Sequence, residues 1–275
     1  MPRSIASRPA SRAADPRPSA TVALIRDGKH APNQAPGITP QLLMLRRHVG
    51  STFGDVYVFP GGGLDACDAR VQDCCGAVDS AEASACLGVA NALDYYSAAI
   101  REVFEETGVL LAQRGDVAAE SFGDDHRRRL LSGELSWDSF LHEHNLSLAS
   151  NRLHYFAHWV TPESEARRFS TRFFFAAMPE GQHASHDGSE LTDSCWMTAA
   201  EVLDAQRAGR MRLIYPTYRT LKDIAGLTTV DAIIDWAKER QRNGVARILP
   251  AIIEVDGKEK VVMPGDPRYP YNGGL

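Results

Sequence analysis

The chain has 275 residues, of which 44% are hydrophobic, and this is long enough to bury a core within one large domain. Its 30 basic and 35 acidic side chains give a net charge of −5, which argues against general binding to nucleic acid or to an anionic membrane. No segment approaches the roughly 20 consecutive apolar residues that span a bilayer, so we expect no transmembrane helix.

The first 19 residues are expected to form a disordered tail. They carry four arginines among Ser, Ala and Pro residues and almost no large apolar side chain that could be buried. An organelle transit peptide has a similar composition, but these residues show no clear amphipathic helix. Residues 20–275 are then predicted to form a single domain.

Three apolar runs after the tail predict β-strands, at residues 21–25, 42–45 and 56–59. Each run is bounded by Gly, Pro or Asn. The triplet Gly61–Gly63 follows Pro60 and permits backbone conformations that side chains forbid. We therefore expect the triplet to interrupt the sheet and to form a tight, functional loop.

A helix is predicted from about residue 89 to residue 107. Ile100, Val103 and Phe104 fall on one arc of it, and Gly108 stands where a left-handed residue commonly ends a helix. The next predicted elements are helices at 124–131 and 137–144 and strands at 153–160 and 171–178.

The C-terminal part, from about residue 210 to residue 275, is predicted to extend the domain. Before it, Thr198 and Glu201 have the spacing of a capping box, which opens a helix that ends near residue 207. The extension is expected to contain helices near 216–225 and 229–240 and a hairpin of 252–255 with 260–263 around an Asp-Gly turn. Together the elements indicate an α+β domain with a mixed β-sheet flanked by helices.

Five cysteines indicate a reducing compartment. Their number is odd, no secretory signal precedes them, and none of their spacings is that of a zinc site. We therefore expect reduced thiols in a cytoplasmic protein. The cysteines are Cys67, Cys74, Cys75, Cys86 and Cys195.

Three glutamates form an acidic face on the predicted helix. Glu102, Glu105 and Glu106 lie three and four positions apart, so their carboxylates project into one region. Arg101 can pair with Glu105 across one turn, but one guanidinium does not neutralise three carboxylates. Mg²⁺ or Mn²⁺ would complete the charge balance, because hard cations prefer carboxylate oxygens. A solvated acidic face is the alternative for such a pattern taken alone.

The residues around these glutamates resemble the signature of the Nudix hydrolases, which is G, five residues, E, seven residues, then R-E-[apolar]-x-E-E-x-G-[apolar]. Gly62 matches the first glycine, and Asp68 stands where the family has Glu. Arg101 follows Gly62 by 39 positions instead of 14, which indicates a 25-residue insertion within about 64–95. The second half is complete, with Arg101, Glu102, Val103, Glu105, Glu106, Gly108 and Val109 in its specified places.

The resemblance implies an α/β/α sandwich that hydrolyses a diphosphate linkage with Mg²⁺ or Mn²⁺. Glu102, Glu105 and Glu106 would be the metal ligands, Glu105 and Glu106 would also act in catalysis, and Arg101 would orient them. The family often takes a further general base from outside the motif. Glu190, in the acidic loop 187–193, is the candidate, with a solvated loop as the alternative.

Two further segments, L-L-M-L-R at 42–46 and F-P-G-G at 59–62, partly resemble a coenzyme A signature. With the split motif and M-P-G-D-P at 263–267, they extend the resemblance to the acyl-coenzyme A diphosphatase branch. The implied substrate is coenzyme A or acyl-CoA, cleaved to 3′,5′-ADP and (acyl-)phosphopantetheine. The candidate residues for holding it are Arg46, Arg47, Gly61 and Gly62, although two surface arginines at a strand end would give the same pattern.

The sequence is also compatible with other functions. ADP-ribose, dinucleotides and nucleoside triphosphates are alternative substrates, and a nucleotide-binding regulator with the Nudix fold is an alternative class. The insertion could line a groove for the acyl or pantetheine group, or form a structural cap over the sheet. The C-terminal Gly-Gly-Leu is not a peroxisomal signal, which favours a cytoplasmic protein. A homodimer is compatible with the sequence.

Overall fold

The structure is a computed structural model and describes residues 14–28, 39–48, 55–186 and 191–271. Most of the expected tail and Glu190 lie outside these residues. The strands are β1 Arg17–Gly28, β2 Thr39–Arg47, β3 Tyr57–Val58, β4 Gly61–Gly63, β5 Ala112–Arg114, β6 Val117–Ala118, β7 Ser147–Leu148, β8 His154–Val160, β9 Phe169–Ala177, β10 Leu191–Thr198, β11 Arg247–Ile248, β12 Ala251–Val255 and β13 Lys258–Val262.

Helices pack on both faces of the main sheet. The α-helices are α1 Ser80–Leu87, α2 Ala92–Thr107, α3 Asp124–Leu131, α4 Trp137–Glu143, α5 Ala199–Arg207, α6 Tyr215–Ile224 and α7 Val230–Arg242. Two 3₁₀ helices, Asp68–Cys75 and Ser150–Arg152, complete the set in the described ranges. None of the described helices is long and apolar enough to cross a bilayer.

The main sheet is mixed, as the sequence predicts. Its strand order is β10-β2-β1-β9-β8-β11, with β3 beside β2 and β4 beside β1. Strand β1 is parallel to β9 and β11 is parallel to β8, while the remaining pairs in this sheet are antiparallel. Strands β5, β6 and β7 form a small separate sheet, and β12 with β13 forms the predicted hairpin.

Strand β1 separates two apolar cores because alternate side chains point to opposite faces of a sheet. Ala20, Val22 and Leu24 belong to the core that contains α1, α2 and α4. Ala23 and Ile25 belong to the core that contains α5, α6 and α7. All five side chains are fully buried, so the α/β/α layering is confirmed.

Local signals in the sequence placed several elements correctly. The capping box is present, because the Glu201 amide donates to Thr198 Oγ1 and the Thr198 amide donates to Glu201 Oε2. Gly108 ends α2 in the left-handed region at φ 72°. Asp256 and Gly257 form the hairpin turn, both with positive φ, as expected for the turn type that matches the twist of the strands.

The glycine triplet was expected to interrupt the sheet, and this expectation is wrong. Gly61–Gly63 forms β4, which pairs antiparallel with residues 19–21 of β1. The pairing is close at Gly61, where a Cβ would lie 2.4 Å from the Ala20 carbonyl oxygen. The absence of side chains therefore lets this segment join the sheet.

Three predicted boundaries also need correction. Strand β1 begins at Arg17, inside the expected tail, because residues 17–25 pair with β9. Strand β10 begins at Leu191, inside the expected loop 187–193, because it pairs with β2. The helix predicted from residue 89 begins at Ala92, since α1 ends at Gly88 with φ 67° and the chain turns before α2.

The inserted segment packs against the first turns of α2. Val71 and Cys75 from the 3₁₀ helix and Leu87 from α1 are buried in the same core as Leu93 and Tyr96 of α2. The insertion is thus folded onto the helix that carries the acidic residues, and the motif continues in register after it.

Candidate active site

Helix α2 carries the acidic residues on the edge of a buried face. Ile100, Val103 and Phe104 are fully buried beneath it, while Glu102 and Glu105 keep 16% and 17% of their side-chain surface exposed. Gly108 caps the C-terminal end of the helix, and its amide donates to the Phe104 carbonyl at 2.8 Å. The apolar arc therefore fixes the helix and directs the carboxylates toward β4.

Arg101 connects the helix to the residues at the start of the motif. Its Nη1 donates to Glu102 Oε1 and to Glu105 Oε2, each at 3.0 Å. Its Nη2 donates to the Gly63 carbonyl at 2.9 Å and to Asp68 Oδ2 at 3.0 Å. Its Nε donates to Asp68 Oδ1 at 3.1 Å. The predicted ion pair between Arg101 and Glu105 is present, and Arg101 orients both glutamates.

Asp68 is completely buried and accepts four hydrogen bonds. Besides the two from Arg101, it receives one from the Asp65 amide and one from Ser97 Oγ, both at 2.8 Å. Ser97 Oγ in turn accepts a hydrogen bond from Trp137 Nε1 at 3.0 Å. Sequence reasoning singled out Asp68 but missed Ser97 and Trp137. The position of Ser97 one helical turn before Arg101 was the available signal.

The glycine strand β4 fits closely against the glutamates. The Gly61 amide donates to Glu106 Oε2 at 2.8 Å. At Gly62, a Cβ would lie 2.4 Å from the Glu102 carboxylate. Backbone groups of this triplet therefore help to position the helix, and Gly62 leaves the space that the Glu102 carboxylate occupies.

A buried arginine that the sequence did not reveal caps the C-terminal end of α2. Arg127 of α3 is 6% exposed, and its Nε donates to the Glu105 carbonyl at 2.6 Å. Its Nη2 also donates to the Glu106 carbonyl. The last carbonyl groups of a helix have no partner within it and carry partial negative charge, so a cation is favourable there.

The acidic residues outnumber the cation that they surround. Burial raises the pKa of Glu102 to about 7; Arg101 opposes this shift and Glu105 adds to it. Burial also raises the pKa of Glu105, against the effect of Arg101. In the described part of the chain, Glu102, Glu105 and Glu106 do not form a group with oxygens all within 4.8 Å. Glu102 and Glu105 share the Arg101 guanidinium with Asp68, and Glu106 accepts from the Gly61 amide. Such a set of carboxylates nevertheless suits a hard divalent cation.

A cleft of about 390 Å³ adjoins β4 and is lined by Gly61, Gly62 and Arg47 among others. Arg46 instead forms an ion pair with Asp55, with 2.7 Å between Arg46 Nη2 and Asp55 Oδ1. Of the two arginines that the sequence singled out, Arg47 therefore lies at the cleft and Arg46 pairs with a neighbouring loop.

The fold is similar to that of a known structure. A NUDIX hydrolase from Alicyclobacillus acidocaldarius superposes with a TM-score of 0.67 at 24% sequence identity. The match covers 80% of this chain and 96% of the other. At this level of identity the similarity establishes the fold alone.

Sequence comparison establishes the family. The model of the NUDT19 Nudix domain matches residues 78–224, more than half of the chain. A Caenorhabditis elegans protein named nudix hydrolase 7 is 25% identical over 84% of this chain and 70% of its own length. The Xenopus laevis protein named acyl-coenzyme A diphosphatase NUDT19 is 24% identical over 64% of this chain and 51% of its own length.

This chain therefore belongs to the Nudix hydrolases, in the NUDT19 family. The family predicted from the motif at residues 101–109 is confirmed. Nudix hydrolases in general need a divalent metal, which agrees with the donor set on α2. The chain spans about half the length of the Xenopus and human NUDT19 proteins that it matches.

Proposed function

We propose that this chain hydrolyses the diphosphate linkage of coenzyme A or an acyl-CoA, giving 3′,5′-ADP and (acyl-)phosphopantetheine. The observation that carries the proposal is the set of glutamates on α2, fixed by Arg101 and fitted against the glycine strand. The name acyl-coenzyme A diphosphatase of the Xenopus, chicken and human relatives supports this substrate class.

We assign the cation, Mg²⁺ or Mn²⁺, to Glu102, Glu105 and Glu106. When bound, it would neutralise charge on the two phosphates and acidify the attacking water. Arg101 holds Glu102 and Glu105 by one nitrogen atom, which keeps both carboxylates oriented. The Gly61 amide holds Glu106 in the same way.

The protein residues also have to accept the proton of the attacking water. Glu105 and Glu106 are our candidates on the helix. Burial raises the pKa of the Glu105 carboxyl, and a carboxylate with a raised pKa is a better base near neutral pH. Glu190 stays a prediction from the sequence as a further base. A pH profile of kcat for Glu190→Gln tests it, and an unchanged profile removes it from the mechanism.

On the substrate side, Arg47, Gly61 and Gly62 are the candidates for contact with the diphosphate, since they line the cleft beside the glutamates. Arg46 is a weaker candidate, because its guanidinium is already bonded to Asp55. We also propose a cytoplasmic location, which the five free thiols support.

Product analysis tests the proposal. The protein is incubated with Mg²⁺ or Mn²⁺ and with coenzyme A, acyl-CoA, ADP-ribose, a dinucleotide or a nucleoside triphosphate, and the products are separated by chromatography. We expect 3′,5′-ADP from coenzyme A or acyl-CoA. If product is released from ADP-ribose, the dinucleotide or the triphosphate but not from coenzyme A or acyl-CoA, the proposed substrate is wrong. No turnover of any compound would favour a nucleotide-binding regulator.

A matched pair of variants tests the assignment of the metal. Glu105→Gln removes one charge from the carboxylate set and should lower kcat by at least about 100-fold. It should also abolish the increase in melting temperature that Mn²⁺ gives to the unmodified protein. Glu239→Gln, at an exposed position on α7, is the control and should change neither property. Full activity in Glu105→Gln would refute the assignment.

A further inference from the structure

The cleft and the carboxylate site share the same strand. Gly61 binds Glu106 through its amide, and Gly62 lies against the Glu102 carboxylate, yet both glycines also line the cleft. A diphosphate held at the glutamates would therefore have one of its two arms directed into this cleft. The two arms of coenzyme A, adenosine 3′-phosphate on one side of the diphosphate and pantetheine on the other, differ sharply in charge. The charge of the cleft lining therefore indicates which arm it binds.

The lining of the cleft is mainly apolar. Phe59, Trp159 and Phe173 come from the sheet side, and Ile214 and Tyr215 come from the start of α6. The rings of Trp159 and Tyr215 pack edge to face with their centroids 5.8 Å apart. The volume of about 390 Å³ lies within the range of roughly 300–1,000 Å³ that is typical of small-molecule sites.

Exposed apolar side chains gather at the same place. The described residues include four large hydrophobic side chains that are exposed, and two of them, Tyr215 at 37% and Val261 at 48%, line this cleft. Val261 belongs to the hairpin strand β13, so the C-terminal extension completes the wall. Apolar surface that faces a cleft indicates an apolar ligand.

Charged side chains are scarce in the cleft. Among the described residues that line it, Arg47 is the one cation and Glu165 the one anion. The adenosine arm of coenzyme A carries a 3′-phosphate in addition to the diphosphate, and a phosphate is usually held by several cationic or amide donors. The pantetheine arm is neutral, and its acyl group is apolar. The hydroxyl groups of Ser19 and Thr171 lie at the cleft and bond to each other at 2.6 Å, which leaves each oxygen an acceptor site for the amides of this arm.

We propose that this cleft binds the acyl-pantetheine arm of the substrate and that the adenosine 3′,5′-bisphosphate arm lies outside it. The inference rests on the proposed function and deepens it, because it assigns substrate selection to α6 and to the C-terminal hairpin. Val261 and Tyr215 contact the acyl-pantetheine group.

Product inhibition separates the two arms. Val261→Asp places a charge in the apolar wall at a partly exposed position, where folding should tolerate it. It should raise KM for hexanoyl-CoA and the Ki of hexanoyl-phosphopantetheine by about tenfold, because a carboxylate must be desolvated by the apolar ligand. The Ki of 3′,5′-ADP should change by less than about twofold. Val117→Asp, at an exposed valine outside the cleft, is the control.

A second pair of variants removes the dependence on one substitution. Tyr215→Ala should have the same selective effect on hexanoyl-phosphopantetheine, whereas Leu131→Ala, at an exposed position of α3 outside this cleft, should not. An increase in the Ki of 3′,5′-ADP with unchanged inhibition by hexanoyl-phosphopantetheine would overturn the inference. Unchanged inhibition by both products would also overturn it.

The two proposals fail in different ways. The unmodified protein is tested first, and absence of 3′,5′-ADP from coenzyme A and acyl-CoA would refute the proposed function. Release of 3′,5′-ADP by the unmodified protein, with no selective effect of Val261→Asp or Tyr215→Ala, would refute the assignment of the arm alone.

Discussion

Asp68 stands where the Nudix motif has a glutamate, and its surroundings accommodate the shorter side chain. The Ser97 hydroxyl donates to Asp68 Oδ1 and accepts from Trp137, so it occupies space beside the carboxylate and completes its hydrogen bonds. Asp68 and Ser97 are fully buried, and Trp137 is 2% exposed. This chain of contacts links α4 to Arg101 and, through Arg101, to Glu102 and Glu105.

Replacing Ser97 with Ala should lower both stability and kcat. The change leaves the indole N–H of Trp137 without its acceptor and removes one donor from Asp68, and an unsatisfied buried group costs about 1–3 kcal/mol. We expect kcat to fall by roughly tenfold with little change in KM, because Arg101 would orient the glutamates less well while the residues that contact the substrate stay in place. Steady-state kinetics and urea denaturation measure the two effects. Ser80→Ala, at an exposed serine of α1, should be neutral.

Restoring the glutamate of the family motif should be harmful in this chain. Asp68→Glu adds a methylene to a fully buried site, and overpacking typically costs about 1–3 kcal/mol. The double variant Asp68→Glu with Ser97→Gly should be more active than Asp68→Glu alone, because the missing side chain leaves room for the longer carboxylate. Comparison of kcat for the unmodified protein, the two single variants and the double variant gives the coupling energy between positions 68 and 97. If the losses of the two single variants simply add in the double variant, Ser97→Gly does not compensate for the longer side chain.

At the scale of the element, α2 depends on α3 for its C-terminal end. Arg127 donates to the carbonyl groups of Glu105 and Glu106, the two positions that carry the catalytic candidates. Its neighbour Arg128 lies on the surface and pairs with Asp125. Variants of these two adjacent arginines can therefore be compared, because Arg127 contacts α2 whereas Arg128 pairs with Asp125 on the surface.

Arg127→Met should reduce the free energy of unfolding by about 3–6 kcal/mol, because the Glu105 and Glu106 carbonyls each lose a hydrogen bond from a charged donor, worth about 1.5–3 kcal/mol. Arg128→Met should change it by less than about 1 kcal/mol, as is typical of an exposed ion pair. Urea denaturation of both variants in parallel measures the difference. Equal losses would show that Arg127 does not support α2.

The local spacing of residues was enough to predict α2, whereas contacts between segments far apart in the sequence could not be predicted. The apolar arc and Gly108 determine the helix and its end, and the acidic residues follow from the motif. Ser97 lies 29 positions from Asp68, Trp137 lies 40 from Ser97 and Arg127 lies 22 from Glu105, so no local pattern records these contacts. Strand β10 was missed because Leu191 is its one buried residue, and its pairing is determined by β2.

At the scale of the whole molecule, the two faces of the sheet support different parts of the candidate site. Helix α2 with the inserted segment packs on one face and holds the glutamates. Helices α5, α6 and α7 pack on the other face, and α6 contributes Tyr215 to the cleft. The glycine strand β4 touches both, because glycine alone lets the Glu102 carboxylate approach the backbone that also borders the cleft.

The stability of the whole fold should depend on pH through His158 of β8. Its side chain is buried, and Nε2 lies 2.8 Å from Ser170 Oγ. Burial, reinforced by the positive charges of Arg172 and Arg247, lowers the pKa of His158 to about 4 from the usual histidine value of about 6.5. Between these two pH values the unfolded chain binds a proton that the folded chain does not, so stability falls as the pH decreases from 6.5 toward 4.

A shift of this size corresponds to about 3 kcal/mol at most, since each pKa unit is worth about 1.4 kcal/mol. His158→Gln cannot bind this proton, and the difference in unfolding free energy between it and the unmodified protein should therefore change by about 2–3 kcal/mol between pH 7 and pH 4.5. Carboxylates that titrate in the same range are common to both proteins and cancel in this difference. His183→Gln, which replaces an exposed histidine, is the control. A difference that does not vary with pH would show that His158 is protonated to the same extent in the folded and unfolded chains, contrary to the effect expected from its burial and from the charges of Arg172 and Arg247.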